Sequence, residues 1–415
     1  TLGANGYTIA GTSGNDQSGL NFANFKLFSI SGTKYNDING DGQTTGDPVL
    51  AGVTIFIDAD GSGTLNTGDL STTTATDGTW SFSNLDFNLA GKKVLEVLPS
   101  GSVQTLGANG YTIAGTSGND QSGLNFANFK LFSISGTKYN DINGDGQTTG
   151  DPVLAGVTIF IDADGSGTLN TGDLSTTTAT DGTWSFSNLD FNLAGKKVLE
   201  VLPSGSVQTL GANGYTIAGT SGNDQSGLNF ANFKLFSISG TKYNDINGDG
   251  QTTGDPVLAG VTIFIDADGS GTLNTGDLST TTATDGTWSF SNLDFNLAGK
   301  KVLEVLPSGS VQTLGANGYT IAGTSGNDQS GLNFANFKLF SISGTKYNDI
   351  NGDGQTTGDP VLAGVTIFID ADGSGTLNTG DLSTTTATDG TWSFSNLDFN
   401  LAGKKVLEVL PSGSV

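Results

Sequence analysis

The 415-residue chain carries 16 basic residues against 40 acids, a net charge of −24, and neither histidine nor cysteine. That balance excludes the basic patches that nucleic acid and anionic membranes require. The lack of cysteine excludes a disulfide framework and thiol chemistry, and no apolar run approaches the roughly 18 residues of a membrane span.

The chain repeats itself. Thr1-Leu2-Gly3-Ala4-Asn5-Gly6-Tyr7 recurs unchanged at Thr105, Thr209 and Thr313, and no substitution separates the copies. A unit of this length buries its own core, so the repeat predicts a string of domains rather than a short-period solenoid. The motifs place closing strands of a preceding module at 1–28, modules at 29–132, 133–236 and 237–340, and a module lacking its closing strands at 341–415. No signal peptide is visible, and because the chain starts inside a repeat, a targeting segment would lie outside it.

Short β-prone runs separated by Gly, Asn, Asp and Ser clusters predict a sandwich, with strands at 28–35, 50–57, 70–76, 79–84, 92–98, 111–115 and 124–131 of the first complete copy. After the first strand comes an acidic loop in which Asp37, Asn39, Asp41, Gln43 and Asp47 have the spacing that wraps oxygen around a hard cation. Its closing carboxylate arrives one position early, ahead of Pro48, so the fit is the poorer of two. The copies are Asp141, Asn143, Asp145, Gln147 and Asp151; Asp245, Asn247, Asp249, Gln251 and Asp255; and Asp349, Asn351, Asp353, Gln355 and Asp359.

The second strand leads into a better match, with Asp58, Asp60 and Ser62 at positions 1, 3 and 5, Gly61-Ser62-Gly63 at the turn, the Thr64 carbonyl at 7 and Asp69 at 12. Its copies are Asp162, Asp164, Ser166, Thr168 and Asp173; Asp266, Asp268, Ser270, Thr272 and Asp277; and Asp370, Asp372, Ser374, Thr376 and Asp381. The expected cofactor is Ca²⁺, held between strands rather than between helices; a plain Asp/Gly-rich surface turn is the alternative. Further on, Asp77-Gly78 reads as a hairpin turn. Trp80 and Phe82 alternate with Ser81 and Ser83, which makes Trp80 a core residue rather than an exposed platform for sugar. Between copies, Asn128 to Gly136 runs β-prone without Pro or a Gly/Ser linker, so one module leads stiffly into the next.

Four motifs, Ser31 to Gly42, Pro48 to Ile55, Thr74 to Leu85 and Leu95 to Gly101, together resemble the B-type domain of serine-aspartate-repeat adhesins, related to the collagen-adhesin B-type sandwich. The departures are the shortened first loop, Trp80 where the family usually has Tyr, and the identity of the copies. The resemblance implies an all-β fold of tandem transthyretin-like (Ig-like), seven-stranded β-sandwich modules in an extended rod, with calcium in the acidic loops. It also implies a candidate Lys–Asn isopeptide bond, in which Lys34 would join Asn128 with Glu96 as proton donor. A Lys34–Glu96 salt bridge or a solvated lysine is the preferred alternative.

The function expected is a structural stalk or filament of a bacterial cell surface or extracellular matrix. A multivalent adhesin for a glycan or surface protein is the alternative, separated by whether one module binds a glycan array. Without His, Cys, G-x-S-x-G or G-K-[ST], no catalytic apparatus is expected. The expected partners are copies of the chain itself, head to tail, as a longer covalent polymer or by strand donation. Nucleic acid and membrane insertion of this segment are not expected. The expected location is extracellular, at the cell surface.

Overall fold

Apolar and small polar residues alternate along Phe28-Ser29-Ile30-Ser31, which places Phe28 and Ile30 on one face, and both are buried. In the computed structural model, which describes Thr1–Ser414, this segment is β1 (Phe28–Asn36). It is followed by β2 (Thr54–Asp58), β3 (Leu70–Thr73), β4 (Thr79–Leu85), β5 (Lys93–Glu96), β6 (Ser102–Leu106), β7 (Tyr111–Thr112) and β8 (Phe126–Lys130). Two four-stranded sheets result, ordered β4-β1-β8-β6 and β3-β2-β5-β7. Every pairing is antiparallel except β1 with β8, which run parallel with Lys34 opposite Phe126 and Asn36 opposite Asn128.

Contacts divide the chain into two units. The first holds Thr1–Asn140, Gly146–Ser204 and Gln208–Asn232; the second holds Asp141–Asp145, Gly205–Val207 and the chain from Phe233. In the first unit, β9 (Phe132–Asn140) opens a second sandwich of the same sheet order. In the second unit, strands from Phe236–Asn244 to Phe334–Lys338 repeat it. They are followed by a smaller set, Phe340–Thr345, Thr366–Asp370, Leu382–Thr385, Thr391–Leu397 and Lys405–Glu408. The fold is all-β, in tandem sandwich modules.

The first core joins Phe28, Ile30, Ile55, Ile57, Trp80, Phe82, Val94 and Phe126. Trp80 is 3% exposed and touches Phe82 and Phe126 edge-on or tilted, so it is core and no platform. A bulge in β4 sets Ser83 and Asn84 against Ser29. Asn84 takes φ 59° there, a left-handed conformation that Asn tolerates better than most residues.

The structure departs from the sequence reading in three places. Each closed module has eight strands, because Ser102–Leu106, with Gln and Thr at a half-buried edge, lacks the apolar alternation that marks a strand. Leu50–Val53 is not strand; Val49 alone bridges to Tyr35. Asp77-Gly78 does not join a hairpin, since β3 and β4 lie in different sheets. The Gly78 N–H to Ala75 carbonyl bond instead turns the chain from one sheet to the other.

Candidate functional site

The loop between β2 and β3 is built around Asp58. Its Oδ1 accepts from the N–H groups of Gly61 (2.9 Å) and Ser62 (3.0 Å), and its Oδ2 accepts from Gly63 (2.9 Å). These bonds curl the chain so that Asp58, Asp60 and Asp69 each bring a carboxylate oxygen within 4.8 Å of the others. Gly61 and Gly63 have φ 81° and 77°, which the turn requires. Asp69 closes the loop, its two oxygens accepting from Ala59 N–H (2.8 Å) and Asn66 N–H (2.9 Å).

Three of the expected ligand oxygens converge on one atom. Asn66 Nδ2 donates to Asp60 Oδ2 (2.9 Å), Ser62 Oγ (2.9 Å) and the Thr64 carbonyl (3.3 Å). Asn170, Asn274 and Asn378 repeat the bonds to the Asp and Ser. A single N–H donor thus sits where the oxygens of positions 3, 5 and 7 meet, the place a hard cation would take. The sequence reading missed Asn66; its signal was its place as ninth residue of the loop. The Ser62 amide and hydroxyl and the Asn66 amide hold the Asp60 carboxyl down to about 2.

The loop after β1 uses the same device. Asp37, buried, accepts from Gly40 (2.6 Å) and Asp41 (3.2 Å) at Oδ1 and from Gly42 (2.9 Å) at Oδ2. Despite the missing residue, Asp47 closes on Asp37 and Asp41. Its Oδ1 takes the Ile38 N–H, while its Oδ2 is buried and has no hydrogen-bond partner. Burial pushes the Asp47 carboxyl up, and the Asp37 and Asp41 charges add to the rise. An orphaned carboxylate oxygen between two others fits a divalent cation. Asn39 donates to Asp41 Oδ2 (2.9 Å), and Gln43 is placed by its N–H to Asp41 Oδ1 (2.8 Å). Both loops therefore suit calcium by donor set and shape.

The third cluster lies inside the sandwich. Lys34 on β1 and Glu96 on β5 approach to 3.1 Å with both side chains fully buried, and Asn128 on β8 is 1% exposed. The equivalent pairs Lys138–Glu200 and Lys242–Glu304 stand at 2.9 and 3.2 Å, beside Asn232 and Asn336. Lys34 is thus not a solvated lysine. Burial lowers its pKa to about 8, against the pull of Glu96, and burial raises that of Glu96. The Asn128 carboxamide is near enough to lower Glu96 slightly, yet neither its Nδ2 nor its Oδ1 reaches hydrogen-bond geometry. An amine of lowered pKa, a carboxyl of raised pKa and an amide without a hydrogen-bond partner share one buried site.

No family model and no curated protein matches the chain. Among solved structures, the Bacillus anthracis TIE protein is similar at 16% identity and TM-score 0.30, over 75% of this chain and 51% of its own, so the chain spans about half its length. BcpA, the major pilin subunit of Bacillus cereus, is similar at 13% identity and TM-score 0.31, over 75% of this chain and 100% of its own. The major pilin SpaD of Corynebacterium diphtheriae follows at 14% and 0.25, over 78% and 99%.

Proposed function

We propose that the chain is a load-bearing stalk segment of an extracellular, bacterial cell-surface structure, made of calcium-stabilised B-type sandwich modules joined head to tail. The observation that carries this reading is the parallel pairing of each module's first and last strands. Tension enters at the start of β1 and leaves at the end of β8. In parallel neighbours that load shears the pairing, so its hydrogen bonds must fail together rather than unzip one by one. One residue, Leu131, separates β8 from β9, so load passes to the next module without a slack tether.

The Lys34–Glu96–Asn128 cluster supports a covalent reinforcement of that clamp. The neutral Lys34 amine attacks the Asn128 carboxamide carbon, the C–N bond to the amide nitrogen breaks, and ammonia leaves with the proton that Glu96 supplies and regains. The result ties the first strand to the last. Calcium, when bound by the two acidic loops, would offset two of the three carboxylate charges gathered in each. The last stretch, from Phe340, presents the face that β8 covers elsewhere.

Single-molecule stretching in millimolar calcium tests the reading. The stretch from Phe340 should extend at low force, and the three closed modules only at higher force. Closed modules that extend at the same low force would contradict the proposal. Intact mass on the same chain reads the bond, since each Lys–Asn condensation removes one ammonia, about 17 Da. The unreduced sequence mass leaves the ion pair alone as the link.

A further inference from the structure

The two acidic loops differ in what surrounds them. At Gly61, Gly63 and Gly68 an added Cβ would meet nothing within 4 Å, so the second loop stands free. In the first loop, a Cβ on Gly40 would lie 2.1 Å from Cγ of Phe191, which belongs to the following module of the same unit. Gly40 also has φ 75°, so backbone and neighbour both require glycine.

A second contact adjoins the first. Ser221, in the closing half of that following module, donates its N–H to the Ile38 carbonyl (3.1 Å) and its hydroxyl to Asn36 Oδ1 (2.7 Å). The same hydroxyl accepts from the Lys130 N–H (2.7 Å) at the end of β8. Phe129, one residue earlier, points away from its own core and meets Phe191 edge-on at 5.5 Å. The apex of the first loop, the end of β8 and the next module's Phe191 and Ser221 form one joint.

Copies of these residues act as internal controls. Phe87, the counterpart of Phe191 with no loop over it, is 51% exposed. Ile38 and Ile142 are 38% exposed where a Ser221-type residue covers them, whereas Ile246 and Ile350 are 60% and 66% exposed without one. Within the second unit, Ser325 N–H donates to the Ile142 carbonyl (3.1 Å) and Gly248 packs on Phe399.

We infer that the first acidic loop is a cation-set joint, in which a divalent cation held by Asp37, Asp41 and Asp47 fastens the loop apex to Phe191 and Ser221 of the next module. The inference rests on the calcium reading above. The link is direct, because Asp37 Oδ1, whose partner carboxylates the cation would gather, also accepts the Gly40 N–H that fixes the apex. Without the cation three carboxylates repel, and the apex loosens beneath the ring. A cation in the second loop touches only its own module. By linkage, docking of the next module must in turn tighten cation binding in the first loop.

Amide hydrogen exchange on the full chain tests this. The peptide around Ser221 is identical to those around Ser13, Ser117 and Ser325, but the Ser13 and Ser117 amides have no such acceptor among the described residues. In calcium chloride the shared peptide should therefore show two populations, two copies fast and two slow. With EGTA the slow copies should speed up about tenfold, the effect of removing a ligand present at some ten times its Kd, and merge with the fast pair. Phe191→Ala should release one slow copy even in calcium. Calorimetric titration runs alongside. If calcium binds but the slow copies stay slow in EGTA, the joint is not cation-set and the inference falls while the calcium reading stands. If no calcium binds, both fall. If Phe191→Ala releases no copy in calcium, Phe191 is no part of the joint and the inference falls as well.

Discussion

The module from Phe28 to Lys130 and the stretch from Phe340 to Ser414 share one sequence where they overlap, yet their interiors differ. In the first, Trp80 is 3% exposed and both side chains of the Lys34–Glu96 pair are fully buried. In the second, Trp392 is only half-buried, and Lys346 and Glu408 are 26% and 27% exposed at almost the same separation, 3.0 Å. Asp37 is buried; its copy Asp349 is exposed. β1 spans nine residues, but Phe340–Thr345 only six, and the three lost are those whose copies Lys34, Tyr35 and Asn36 pair with β8. Among the described residues, no counterpart of β6, β7 or β8 lies over Phe340–Ser414. The distance within an ion pair is thus set locally, whereas its burial, and so its chemistry, is conferred by a strand about ninety residues away.

The sharpest way to break this comparison is to remove one partner in each setting. Glu96→Ala leaves Lys34 buried and unpaired and should cost its module about 3–5 kcal/mol. Glu408→Ala removes a partly wet pair and should cost about 0–1 kcal/mol. Calorimetric unfolding of the two variants checks this, and equal losses would mean that β8 does not set the environment of the pair.

Calcium removal is the next largest effect. Extracellular calcium modules bind with Kd roughly 10⁻⁴–10⁻³ M, so millimolar calcium should add about 0.4–1.4 kcal/mol per site. Asp58→Ala with Asp60→Ala should abolish the second-loop share of that gain in its own module. The matching change at Asp370 and Asp372 should do the same, because this loop does not depend on β8. Chelator that leaves thermal unfolding and protease resistance unchanged would remove calcium from the account.

The smallest expected effect is in pH. Where no amide bond forms, Lys34 titrates near 8 in the folded module and near 10.5 when unfolded. Between those values the unfolded chain holds the extra proton, so closed modules should gain stability as pH rises from 8 toward the tyrosine range at 10.0. A flat profile in the closed modules, at unreduced mass, would contradict the lowered lysine pKa.

Much of this was legible in the residues because it is local. The repeat, the Asp and Gly spacing of both loops and the Trp80–Phe82 face depend on chain periodicity and short-range turn geometry, and the structure shows each. The sheet assignment of β3 and β4, and β6 itself, were not legible. A tight Asp-Gly turn serves a hairpin or a crossing between sheets equally well, and a half-buried edge strand carries little hydrophobic signal.

By itself the sequence determined which acids each loop gathers and which residues seek the core, since both follow from side-chain chemistry and neighbours within a few positions. Only the tertiary structure decided which groups meet. Asn128 lies beside the Lys34–Glu96 pair because β8 runs parallel to β1, and Gly40 meets Phe191 because two modules abut. Such long-range pairings leave no trace in local pattern, because they depend on how whole strands are ordered and not on which residues stand side by side.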